Sequence, residues 1–216
     1  MADNGMYFYN DYVMRFLFLV MMLFSTSLGA QNINSAFVSM PDSLSPLLTK
    51  VNRQDFADFL ASGMKAVVKN KFGGESEMLK LTEDYLYLKT TASSSEEMKM
   101  LPLNDSVNII CVVKTYLGPV EDSDVKFYTT EWKELPVDKH ISLPVLSDFY
   151  VSENDSLAGF KDMLVYKAEL SEKDNTMRFL FRSLDVTDKK TSEKLSDSVK
   201  KTLKYSWVNG RYEMNR

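Results

Sequence analysis

The chain has 216 residues, 44% hydrophobic and 26% charged, which suffices for one substantial domain or two small ones and excludes a disordered chain. With 26 basic and 30 acidic residues it carries a formal charge of -4 and a pI near 5.2, so no basic field is present to hold nucleic acid or an anionic membrane surface. Its single cysteine, Cys111, excludes an intramolecular disulfide framework and any multi-cysteine metal site, and its place in an apolar run marks a buried small hydrophobe.

Residues 1–30 read as a signal peptide: Arg15, the apolar run Phe16 to Phe24, and small residues ending at Ala30, which leaves Gln31 first in the mature chain. Met14 directly precedes Arg15 and makes the better initiator, because the thirteen residues before it carry two acids and no base. The apolar run is about half the roughly 20 residues of a spanning helix, so no integral membrane anchor is expected after cleavage. Pro41 and Pro46 restrict Ala36 to Lys50 to short helical turns. Asn52 offers an N-cap, and Phe56, Phe59, Leu60, Met64, Val67 and Val68 recur at helical spacing. This predicts one core-covering helix from Arg53 to Asn70, with Gly63 in its middle at a cost of about 1 kcal/mol against alanine.

Alternation then predicts strands from Tyr85 to Thr90 and from Glu97 to Leu101. From Val107 to Val113 both phases are apolar, Val107, Ile109, Cys111 and Val113 against Ile110 and Val112, which marks a strand covered on both faces. After Gly118-Pro119 and an acidic turn at Glu121 to Asp124, the aromatic stretch Val125 to Trp132 reads as its hairpin partner. Short connections make these four strands an antiparallel meander. Beyond Pro144 and a loop at 152–159, Met163 to Leu170 and Thr176 to Arg182 form a second hairpin, and Asp185 to Lys201 a charged surface helix. Asn209-Gly210 turns a terminal hairpin of type I′. The fold class is α+β: N-terminal helices packed on the meander, further C-terminal strands, one surface helix and a terminal hairpin. Residues 31–216 form a single domain or two lobes, 31–136 and 137–216.

The blocks MPDSLSPLLTKVNR, KNKFGGESEM, LPLNDSVNIICVV, FYTTEWKELP, LPVLSDFYV and DMLVYKAELS resemble those of domain of unknown function 3256, a family of exported Bacteroidales proteins. The likeness runs well from Ile33 to Leu170 and loosely beyond. It implies a periplasmic or secreted location and brings no catalytic motif and no cofactor. Asp-Ser followed by an aliphatic residue occurs at Ser43, Ser106, Ser156 and Ser198. In a protein of that group these serines resemble O-glycosylation acceptors, and Asp-Ser also starts turns and caps helices without any sugar.

Coherent catalytic chemistry is absent from the residue pattern. His140 is the only histidine, no G-x-S-x-G surrounds any serine, and no short-spaced metal signature occurs; a strand-edge position accounts for His140. Glu121 to Asp124 lacks the spacing of a calcium loop. Pairs such as Glu96-Glu97 are what thirty acids produce without selection for geometry. Tyr85, Tyr87, Tyr128 and Trp132 offer a binding face if the sheet is covered on one side only, and core packing otherwise. The sequence therefore favours a non-enzymatic envelope module that binds a protein, peptide or glycan. A hydrolase of carboxylates centred on His140, or a structural assembly accessory, is the alternative.

Overall fold

Local chemistry at the start of the folded chain makes two helices. Asn32 Oδ1 accepts from the Ser35 amide and opens α1, Ile33–Ser39. Thr49 Oγ1 accepts from the Asn52 amide while Asn52 Oδ1 accepts from the Thr49 amide, a reciprocal box that opens α2, Lys50–Ala61. Asn52 is thus the third helical residue rather than the cap. Gly63, at φ 67, ends the helix: Gly63 donates to Leu60 O at 3.0 Å and Met64 to Phe59 O at 2.9 Å, the paired bonds of a Schellman closure. The helix read from Arg53 to Asn70 is corrected accordingly. Val67 and Val68 fit either period over so short a run, and Val67–Lys69 is strand β1. The computed structural model describes residues 32–151 and 163–215; the signal peptide, Met14 and Ser156 lie outside them.

After β1 come β2 (Glu75–Leu81), β3 (Tyr85–Thr91), β4 (Ser94–Asn104), β5 (Val107–Leu117), β6 (Glu121–Thr129) and β7 (Glu134–Leu135). Each is antiparallel to the next, so the four-stranded meander is the middle of a seven-stranded one. The acidic run Glu121 to Asp124 is strand, not turn. Glu121 pairs with Lys167 and Arg182, both at 2.7 Å, Ser123 is buried, and Asp122 and Asp124 are exposed, so alternation disposes of every charge. A second antiparallel sheet runs β11-β10-β9-β8, from β8 (Tyr166–Leu170), β9 (Thr176–Phe181), β10 (Thr202–Val208) and β11 (Arg211–Met214). Asn209 and Gly210 both have positive φ, 49 and 81, as the type I′ turn requires. Between the sheets runs the single helical turn α3, Val137–His140. The surface helix is shorter than read: α4 covers Lys189–Leu195, with 3₁₀ turns at Ser183–Val186 and Ser196–Ser198.

β5 divides two cores. Ile109, Cys111 and Val113 cluster with Phe127, Phe149, Phe179 and Tyr205 between the two sheets. Ile110 and Val112 cluster with Phe37, Leu48, Phe56 and Met98 on the face that carries α1 and α2. Each such side chain contributes about 1.5–3 kcal/mol of burial, so both faces bind the meander strongly. One edge of the small sheet is closed by the large one: Ser123 Oγ accepts from the Ala168 amide at 3.0 Å and Glu97 Oε2 from the Leu170 amide at 2.7 Å. That pairing removes β8 as an open edge.

Candidate functional site

Three of the four aromatic residues proposed as a binding face are core. Tyr85 (5% exposed) lies between the sheets, and Tyr128 (5%) and Trp132 (8%) lie on the helical side with rings 5.6 Å apart. Tyr87 is half-buried and packs on the inter-sheet core. They do not make an open aromatic platform, because the meander is covered on both faces and aromatic area is spent there on packing. Trp132 adopts φ 64, a strained conformation for a tryptophan, held by its burial and by Nε1 donating to Ala36 O at 2.9 Å. His140 ends α3 instead of edging a strand. Its buried ring has Nδ1 2.9 Å from Gly210 O and lies 5.2 Å from Phe127 and 6.2 Å from Trp207, centroid to centroid. No group of three metal-capable side chains occurs among the described residues. Ser43 and Ser106 are exposed in turns, and Ser198 is half-buried at the end of a 3₁₀ turn.

Buried charge is where the fold departs from packing alone. Lys99 is paired to Asp84 at 2.8 Å, and Glu97 is used by the Leu170 amide. Glu96 differs: the residue is 5% exposed, and its Oε1 is buried with no hydrogen-bond partner. Its closest cation is Lys114 Nζ, at 3.9 Å, the outer limit of an ion pair. Lys114 also donates to Leu44 O at 3.1 Å. Burial pushes the Glu96 carboxyl up to about 7, against the opposing pull of Lys114. The sequence signal for these two residues is a charge inside an apolar alternation phase, Glu96 with Met98 and Met100, Lys114 with Ile110 and Val112.

The space above Glu96 is roofed by the loop between α1 and α2. Arg53, 1% exposed, staples that loop: Nη2 donates to Met40 O at 2.7 Å, Nη1 to Leu48 O at 3.0 Å, and both reach Asp42 Oδ1 at 3.2 Å. Lys71 donates from its amide to Leu47 O at 2.9 Å and from Nζ to Asp42 Oδ2 at 3.3 Å. These bonds hold the loop in place from both of its ends. Under it lie two adjoining cavities of about 200 and 260 Å³ that share Leu44, Pro46, Lys114 and Tyr116. The first reaches Glu96 and Thr115, the second Asp124 and Tyr128. Lys114 is in cross-strand register with Glu96 on one side and Asp124 on the other, so the floor is close to neutral. Tyr116, at 57% exposed, stands at the mouth of both. An apolar roof thus lies over a polar floor that includes one buried acceptor without a hydrogen bond. By contrast, the unpartnered hydroxyls of Tyr205 and Tyr212 lie inside the inter-sheet core.

The sequence matches the family described as "Protein of unknown function (DUF3256)" over residues 25–212. No curated protein matches it. Among solved structures it is similar to a domain of an uncharacterized protein from Porphyromonas gingivalis W83, with 25% identity and a TM-score of 0.76. That alignment covers 85% of this chain and 97% of the other.

Proposed function

The chain belongs to the DUF3256 family of proteins of unknown function, and from that premise we propose that it is a non-enzymatic binding protein of the Gram-negative envelope. The observation that carries the binding reading is Glu96, an acid kept buried beneath a pre-fixed roof with no hydrogen bond to Oε1 and only a 3.9 Å ion pair to Lys114. A carboxylate left so costs stability unless something else satisfies it. Export is supported by Arg15, the apolar run Phe16 to Phe24 and the small residues to Ala30. A place among Bacteroidales proteins is supported by the similar structure from Porphyromonas gingivalis. The single-domain reading of 31–216, over two lobes, is supported by an inter-sheet core in which Phe127 and Tyr212 pack together. Among the described Asp-Ser sites, Ser43 and Ser106, both exposed, are the serines best placed for O-glycosylation. A hydrolase centred on His140 draws no support from a ring enclosed by Phe127, Trp207 and a carbonyl.

The test is affinity capture from native envelope extract, with the mature wild type and a Leu44→Glu variant as parallel baits. A species retained by the wild type and lost from the variant supports the groove. A capture profile identical for both baits refutes it. Cell fractionation checks export, and an intact mass equal to the unmodified mature chain rejects glycosylation.

A further inference from the structure

Resting on the binding reading above, we infer that the groove between the 41–48 loop and β4–β6 takes an uncharged saccharide ring. The charge pattern narrows the ligand first. A cationic ligand approaching Glu96 would meet Lys114, which lies 3.9 Å from that carboxylate. An anionic ligand approaching Lys114 would meet Glu96 and Asp124, its two register partners on β4 and β6. With two acids, Glu96 and Asp124, set against two bases, Lys114 and Lys126, the groove offers no net charge to an ion of either sign and suits a neutral ligand whose hydroxyls can donate to Glu96. The walls narrow it further. Leu44 and Pro46 offer aliphatic surface on one side, while Lys114 and Ser94 offer polar atoms on the floor. A sugar ring has this same division, with C–H groups on its face and hydroxyls around its rim. Tyr116, 57% exposed at the mouth, supplies the flat aromatic surface on which such a face stacks. Two adjoining cavities of about 200 and 260 Å³ give room for a ring in one and a linked residue in the other. Oε1 of Glu96 is closed off in this structure, so a ring hydroxyl reaches it only after a small shift of that side chain, while the loop fixed by Arg53 already stands over the groove.

The experiment probes the mature wild type on an array of immobilised neutral and acidic oligosaccharides, then titrates the strongest neutral hit in solution. Tyr116→Ala and Glu96→Gln test the two contacts, and Phe72→Ala is the off-site control, since Phe72 is 79% exposed on the β1–β2 turn and lines neither cavity. Tyr116 is exposed and the glutamine is isosteric, so both variants retain the fold, which far-ultraviolet circular dichroism verifies. The expected result is saturable binding of a neutral glycan, weakened about tenfold by each groove substitution and unchanged by Phe72→Ala. Retention of no glycan, of acidic glycans only, or of a neutral glycan indifferent to both substitutions overturns the saccharide assignment. Saturable binding of an unstructured peptide that Tyr116→Ala abolishes also overturns it, while leaving the groove itself standing. If neither substitution alters any binding or the envelope capture profile, the saccharide and the groove fail together.

Discussion

Replacing Glu96 by glutamine gives the sharpest physical test, because one substitution separates the cost of a buried charge from the loss of a packed side chain. The folded state holds this carboxyl at about 7, against an ordinary value of 4.5, and burial is the main cause. A group whose folded value is raised adds stability that is complete below 4.5 and is lost as the pH rises through about 7. Above that point the ionised, buried carboxylate costs about 3 kcal/mol, from 1.36 kcal/mol per pH unit across the interval. Glutamine keeps the shape and cannot ionise, but its buried amide still lacks partners, which returns about 1 kcal/mol of that gain. Glu96→Gln is therefore expected to raise the unfolding free energy by about 2 kcal/mol at pH 8, and by nothing or slightly less than nothing at pH 4.5. Equilibrium urea denaturation of both proteins at the two pH values measures the difference. Glu97, also pushed up to about 7 by burial, stays in both proteins and cancels from the comparison. The reasoning is refuted if the variant is less stable at pH 8, or if its effect is the same at both pH values.

Other substitutions address the scaffold. Gly63→Ala should lower stability by about 1 kcal/mol, since alanine resists the left-handed conformation; a mid-helix glycine would give a gain of similar size, and thermal denaturation tells them apart. Trp132→Ala should cost about 3–5 kcal/mol by urea denaturation, because it removes a buried indole and its bond to Ala36 O. Arg53→Ala should cost about 2–4 kcal/mol and speed amide hydrogen exchange across Leu44 to Leu48; unchanged exchange there would show that the staple does not hold the roof.

Much of the fold was legible because strand signals are local. The two-phase apolar run of β5 predicts a strand covered on both faces, and Ile109 and Ile110 do fall in different cores. The Asn209-Gly210 turn was equally readable, since only its positive φ values suit those residues so well. Errors came where two local rules compete. Gly63 reads as a helix interruption or as a helix end, and only the bonds of Gly63 and Met64 back to Leu60 and Phe59 decide. The acidic run at Glu121 reads as a turn until Lys167 and Arg182, far along the chain, supply its counter-charges.

The candidate site was hardly legible at all. The aromatic residues singled out from sequence are mostly interior, and Glu96 looked like one acid among thirty. Its neighbour Glu97 shares its chemistry and points to the opposite face of β4, where a backbone amide uses it. Sequence by itself determined the acidic charge balance, the lone buried cysteine, the antiparallel meander and its hairpins, because composition and period-two alternation are carried by neighbouring residues. Tertiary structure decided which of two adjacent glutamates receives a backbone hydrogen bond and which keeps only a 3.9 Å ion pair under a roof. Hydrogen-bond partners for a buried side chain come from strands and loops distant in sequence, and no local pattern records their absence.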